Sequence, residues 1–157
     1  MLRAANITDF DFINKIVLSE SKKGHFNRKL VRLINKFFWK RELRSILSKD
    51  SRNKGIYAKA YVWVRDDNPI GFVIMSVLTK DNKGNELWMS AITPEQRGLG
   101  EGKKMLITIL EQFKGKNKTL VARCSVESEA MFHILTTNGF IKADEIENET
   151  RLLKYKL

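Results

Sequence analysis

Pro94-Glu95-Gln96-Arg97-Gly98-Leu99-Gly100-Glu101-Gly102-Lys103 separates two apolar patterns of different period. Before it, Leu87-Trp88-Met89-Ser90-Ala91-Ile92 has the length and composition of a buried strand. After it, Met105, Leu106, Ile109, Leu110 and Phe113 recur at helical spacing. A glycine-rich turn between strand and helix lets an anion approach the backbone closely, where first-turn N–H groups and the helix dipole stabilise its charge. The stretch therefore predicts a site for a phosphate-bearing ligand. It is not the nucleotide P-loop, which needs G-x-x-x-x-G-K-[ST], and it lacks the G-x-G-x-x-G order of dinucleotide folds.

The patterns on either side give an element order. Leu2–Ala5 predicts a short strand, and Thr8 or Asp9 a cap for a helix with Phe12, Ile13, Ile16 and Val17 inward, ended by Lys23-Gly24-His25-Phe26. From about Arg28 to Ser48 a second helical region carries two stripes. Leu30, Leu33, Ile34 and Phe37 share one face, and Trp39, Leu43, Ile46 and Leu47 nearly the opposite one. One straight helix cannot bury both against a single sheet, so a break is expected near Phe38–Arg41. Tyr57–Val64 and Ile70–Leu78 read as strands joined by a turn at Asp66-Asp67-Asn68-Pro69, with another turn at Asp81–Asn85. Thr119–Cys124 reads as a strand and Ala130, Met131, Ile134 and Leu135 as a helix closed by Asn138-Gly139. Phe140–Ala143 and Arg151–Tyr155 read as a final strand pair. The order is β-α-α-β-β-β-α-β-α-β-β.

With 157 residues, two prolines and neither linker nor repeat, the chain is expected to form a single domain over 1–157. No apolar run approaches a membrane span, the N-terminus has no signal-peptide core, and the one cysteine, Cys124, excludes an internal disulfide. A soluble, reduced, cytoplasmic protein with no membrane partner is the expectation. The net charge of +11 is concentrated: Lys22–Lys54 holds twelve Lys/Arg and two acidic residues, leaving about +1 for the rest. A localised basic segment steers acidic partners.

Read as Arg97-x-x-Gly100-x-Gly102, the loop matches R/Q-x-x-G-x-G/A, and with the later Asn138-Gly139-Phe140 the chain resembles the GNAT family of N-acetyltransferases. The resemblance covers nearly the whole chain. It implies an α/β (α+β) fold whose central, mixed, mostly antiparallel twisted sheet has about seven strands flanked by about four helices. It implies acetyl-coenzyme A as acyl donor and no metal. Backbone groups of Arg97, Gly98, Leu99, Gly100, Glu101, Gly102 and Lys103 would hold the pyrophosphate, and main-chain groups near Ala91 and Ile92 the pantetheine arm. Ser128 stands where the family often has an asparagine that contacts the cofactor.

Glu86 lies six residues before Ile92, the spacing of the catalytic glutamate in histone-acetylating members, whose segment runs similarly Glu-apolar-apolar-x-x-Ala-Ile. A carboxylate at the wet end of a buried strand can take a proton from an amine, directly or through water. The family's usual acid, a tyrosine four residues before the late glycine, is replaced by Leu135; His133 and Cys124 are poor substitutes, the first facing away and the second a small buried hydrophobe. His25 and Phe26 sit in the loop that commonly borders the acceptor. The expected activity is transfer of acetyl to a primary amine by direct attack in a ternary complex. The alternatives are a non-catalytic acyl-coenzyme A-binding regulatory protein and an acetyltransferase directed to aminoacyl-tRNA through the basic segment. The acceptor is unidentified and possibly acidic, and the protein is expected to be a monomer or homodimer.

Overall fold

The computed structural model describes residues 1–78, 84–115, 119–147 and 150–156. A seven-stranded mixed sheet runs in the order β1-β2-β3-β4-β5-β7-β6. Its strands are β1 (Leu2–Ala4), β2 (Ala58–Arg65), β3 (Asn68–Val77), β4 (Gly84–Ile92), β5 (Thr119–Ser125), β6 (Ile141–Glu147) and β7 (Thr150–Lys156). Only β4 and β5 pair in parallel; every other neighbour is antiparallel. Helices α1 (Phe10–Lys23) and α2 (Leu33–Lys49) cover one face, and α3 (Glu101–Phe113) and α4 (Glu129–Thr137) the other. This is the fold that the family resemblance implies, with its strands and α-helices in the order read from the sequence.

Two apolar layers result from strand alternation. Val62, Phe72, Ile74 and Met89 meet Ile13, Val17, Trp39 and Leu43, while Val73, Leu87, Leu120 and Leu153 meet Met105, Leu106, Ile109 and Leu135. Local chemistry sets the boundaries. Asp66 and Asp67 both take positive φ, as the tight turn of a β-hairpin requires, so Asn68 and Pro69 already belong to β3. Gly24 ends α1 in the left-handed conformation. The helix start differs from expectation: Asn6 caps a short 3-10 turn at Ile7–Asp9 in a reciprocal capping box, and Asp9 is engaged by Arg3 and the Asn6 amide rather than capping α1. Of the expected turn at Asp81–Asn85, residues 81–83 lie outside the described residues, and Gly84 and Asn85 already belong to β4.

The expected break near Phe38–Arg41 is absent. Residues Arg28–Val31 form a separate 3-10 turn, Arg32 is extended, and α2 then runs unbroken from Leu33 to Lys49. Trp39, Leu43, Ile46 and Leu47 are buried; of the competing stripe, Leu33, Ile34 and Phe37 face outward, while Leu30, in the 3-10 turn, packs partly against the core. The conflict between two stripes is settled by exposing one.

Candidate functional site

β4 and β5 are paired only from Gly84–Thr119 to Leu87–Ala122. Beyond that point Trp88–Ile92 and Arg123–Ser125 have no ladder between them, and the sheet opens. The opening coincides with a bulge. Ile74 opposes Met89 and Met75 opposes Leu87, so Trp88 is an extra residue that bends β4 away from β5. The parted strands leave backbone groups of Trp88–Ile92 for another extended group to line.

The glycine loop closes one end of this opening. Gly98 (φ 76) and Gly100 (φ 77) hold conformations that side chains rarely adopt, and a Cβ on either would meet nothing within 4 Å. Their faces are open to solvent. Gly102 instead packs closely: a Cβ there would lie 3.3 Å from Ile134 on α4 and 3.7 Å from Ile92, a tight fit for anything larger than a methyl group. Gly100 stands at the N-cap of α3 with no side chain capping the first turn. The exposed loop and helix start therefore present amide donors and the positive end of the dipole together.

Two of the loop's charged residues, Glu101 and Arg97, turn their side chains elsewhere. The buried Glu101 carboxylate accepts from Trp63 Nε1 at 2.8 Å and from Lys104 Nζ at 2.8 Å, and these partners hold it below its usual range. Arg97 donates from Nε to the Ile92 carbonyl at 3.0 Å and pairs with Glu20 at 2.9 Å, so it fastens the loop to the end of β4 and to α1. That bond uses one of the two lone pairs on the Ile92 oxygen. Lys103 is exposed beside the first turn.

Glu20 is a hub that has no signature in the sequence. It is almost fully buried near the end of α1, bonded to Lys23 at 2.9 Å and Arg97 at 2.9 Å, with His25 Nε2 at 3.9 Å. Burial pushes its carboxyl up, but the bonds to Lys23 and Arg97 outweigh that and leave it below its ordinary value. From this hub the loop Gly24–Arg28 crosses to the far side of the opening. Ser125 Oγ donates to the Gly24 carbonyl at 2.8 Å, and His25 Nδ1 lies 3.0 Å from Ser128 Oγ. Phe26 anchors the loop on Phe72 in the core. His25 and Ser128 thus meet at one mouth of the opening, with Phe26 behind them against the core.

Glu86 departs from the expectation of a wet strand end. It is 5% exposed, sits within the paired part of β4 and forms an ion pair with Arg123 of β5. By alternation from Leu87 it faces the α2 side of the sheet. There Arg52 donates to Ser76, the cross-strand partner of Glu86, at 3.2 Å, pairs with Glu42 at 3.2 Å, and lies 3.5 Å over the Trp88 ring. Arg52 and Arg123 belong to this cluster through tertiary contacts alone, which is why no local pattern announces them.

Leu135 is 1% exposed and packs in the core with no proton to give, and the His133 side chain is exposed. Burial pushes the Cys124 thiol up to about 11, and its Sγ faces the Ser125 and Ser128 carbonyls. It is a packed thiol rather than a nucleophile. Among the described residues no group of three or more His, Cys, Asp or Glu is placed to hold a metal ion, and no helix is long and apolar enough to cross a membrane.

Comparison with known proteins places this geometry. The sequence profile of the acetyltransferase (GNAT) family matches residues 24–140, three quarters of the chain. No curated protein sequence matches. Among solved structures, the PaiA N-acetyltransferase of Thermoplasma acidophilum in complex with coenzyme A superposes with a TM-score of 0.78 at 18% identity, covering 100% of this chain and 98% of that one. A ribosomal-protein-alanine N-acetyltransferase from Brucella melitensis gives 0.70 at 17% identity over 100% and 99%. A spermidine N-acetyltransferase from Vibrio cholerae gives 0.69 at 16% identity over 99% and 94%. At such identities these structures establish the shared fold alone. With its profile matched from the loop after α1 through the Gly139-Phe140 turn, the chain belongs to the acetyltransferase (GNAT) family.

Proposed function

We propose that the whole chain, 1–157, acts as a single N-acetyltransferase domain that moves an acetyl group from acetyl-coenzyme A to a primary amine. The parting of β4 and β5 beside an uncapped glycine loop carries this reading. The pyrophosphate lies against the amides of Gly98–Lys103, and the pantetheine arm runs along Ala91 and Ile92 in the opening, with Ser128 at its far lip. The coenzyme A bound in the Thermoplasma acidophilum structure supports that cofactor.

In the reaction the neutral amine attacks the thioester carbonyl, and collapse of the tetrahedral adduct expels the coenzyme A thiolate. Glu86 accepts the amine proton, through water if the distance requires. Arg123, half exposed, has to release the carboxylate for it to take that proton. No tyrosine protonates the thiolate, and none is needed for turnover: a thiol pKa of about 8.5 makes it a fair leaving group near neutrality. A lost general acid costs about 10²–10⁴-fold. The proposed setting is cytoplasmic, where a lone free thiol such as Cys124 stays reduced.

Leu135 favours the rival reading, in which acetyl-coenzyme A is bound without turnover. Free-thiol release measured with acetyl-coenzyme A across a panel of polyamines, peptide N-termini, amino acids and aminoacyl-tRNA decides between them. Acceptor-dependent release is expected; tight cofactor binding with no transfer to any amine would overturn the enzyme reading.

A further inference from the structure

The exposed stripe on α2 needs an occupant. Leu33 is 89% exposed, Ile34 67%, Phe37 64% and Phe38 51%, all within the first two turns and on the side away from the core. Isolated surface hydrophobes need no explanation, but contiguous large ones mark an interaction surface. The setting is equally specific. Between Arg28 and Arg41 the chain has six Lys/Arg and no acidic residue. Among the described residues none of Lys29, Arg32, Lys36, Lys40 and Arg41 has an acidic partner. Further along the same exposed face the apolar residues give way to Arg41 and Arg44.

We infer that this end of α2 docks on an anionic lipid surface, with Leu33, Ile34, Phe37 and Phe38 entering the acyl boundary and the surrounding cations meeting headgroups. A second copy of the chain is disfavoured, because it would bring two such unneutralised basic clusters face to face. A folded partner needs pockets for its anchors, and a side chain as exposed as Leu33 stands proud of the surface instead of lining one. Single-stranded nucleic acid would use the cations and the two phenylalanines, but Leu33 and Ile34 offer no ring to stack on. A fluid, anionic interface accepts a convex apolar ridge with a basic rim. The expectation of no membrane partner came from the lack of a spanning run, and a helix lying in the interface requires none.

Vesicle co-sedimentation tests this, using phosphatidylcholine with and without phosphatidylglycerol. The protein is expected to bind the anionic vesicles and not the neutral ones. Phe37→Ser with Phe38→Ser should weaken binding about ten-fold or more. Neutralising Arg32, Lys36 and Arg41 to Gln should weaken it about a hundred-fold. Both variants replace outward-facing residues, so thermal unfolding and acetyl-coenzyme A affinity should stay as in the wild type. Absent vesicle binding, or anionic binding that the phenylalanine variant leaves intact, would overturn the inference. So would a concentration-dependent dimer abolished by the phenylalanine variant, or RNA binding that excludes vesicles.

Discussion

Replacing Gly100 by alanine separates the loop's two duties. Its φ of 77° costs an L-residue about 1–2 kcal/mol, and because a Cβ there meets nothing within 4 Å, no clash adds to that. For a chain of this size the melting temperature should fall by about 2–8 °C. The methyl does obstruct an anion approaching the loop amides. Losing one charge-assisted hydrogen bond costs about 1.5–3 kcal/mol, which is about ten- to a hundred-fold in the dissociation constant for acetyl-coenzyme A. Gly55 supplies the control, since its φ is 71°, a Cβ there also meets nothing, and it lies in the turn before β2. Gly55→Ala should show the same thermal loss with unchanged affinity. Calorimetric titration and thermal unfolding of both variants read the two quantities separately. If Gly100→Ala binds acetyl-coenzyme A as tightly as Gly55→Ala does, the loop is not the phosphate site.

Glu86→Gln should lower kcat about 10²–10⁴-fold while leaving cofactor affinity within about two-fold, as steady-state kinetics and titration will show. Acid should loosen the protein through Asp9, Glu20 and Glu101, all held below their ordinary values. Their stabilisation is complete above about pH 4.5, the unfolded glutamate value, and is lost as pH falls through the lower folded values. Melting temperature should therefore drop as pH falls below about 4.5, and less steeply in Glu20→Gln. Cys124, with its thiol raised to about 11, should resist thiol reagents at pH 8 in the folded protein and react at once in denaturant.

The strand, glycine loop and helix were legible from residues 87–113 because their signals are local: an apolar run, residues without Cβ atoms, then apolar spacing of three and four. The hairpin at Asp66-Asp67 and the cap at Gly24 were legible for the same reason. What escaped depends on contacts between distant segments. Glu20 reads as one more polar residue of α1 until the fold brings Arg97 and His25 to it. Glu86 has the spacing of a catalytic base, but its burial and its pairing with Arg123 follow from the parallel register of β4 and β5. The two stripes of α2 conflict in the sequence as they do in the structure. A break would be needed only if both were buried, and α2 stays unbroken because Leu33, Ile34 and Phe37 are left exposed.

Amide NMR during titration with acetyl-coenzyme A reads the cofactor site residue by residue. The largest shifts should fall on Gly98, Gly100, Glu101, Gly102 and Lys103 at the helix start and on Ala91 and Ile92 beside the opening, with the far strands β1 and β6 unmoved. Saturable binding whose shifts lie elsewhere, or no binding at all, would contradict this placement of the cofactor.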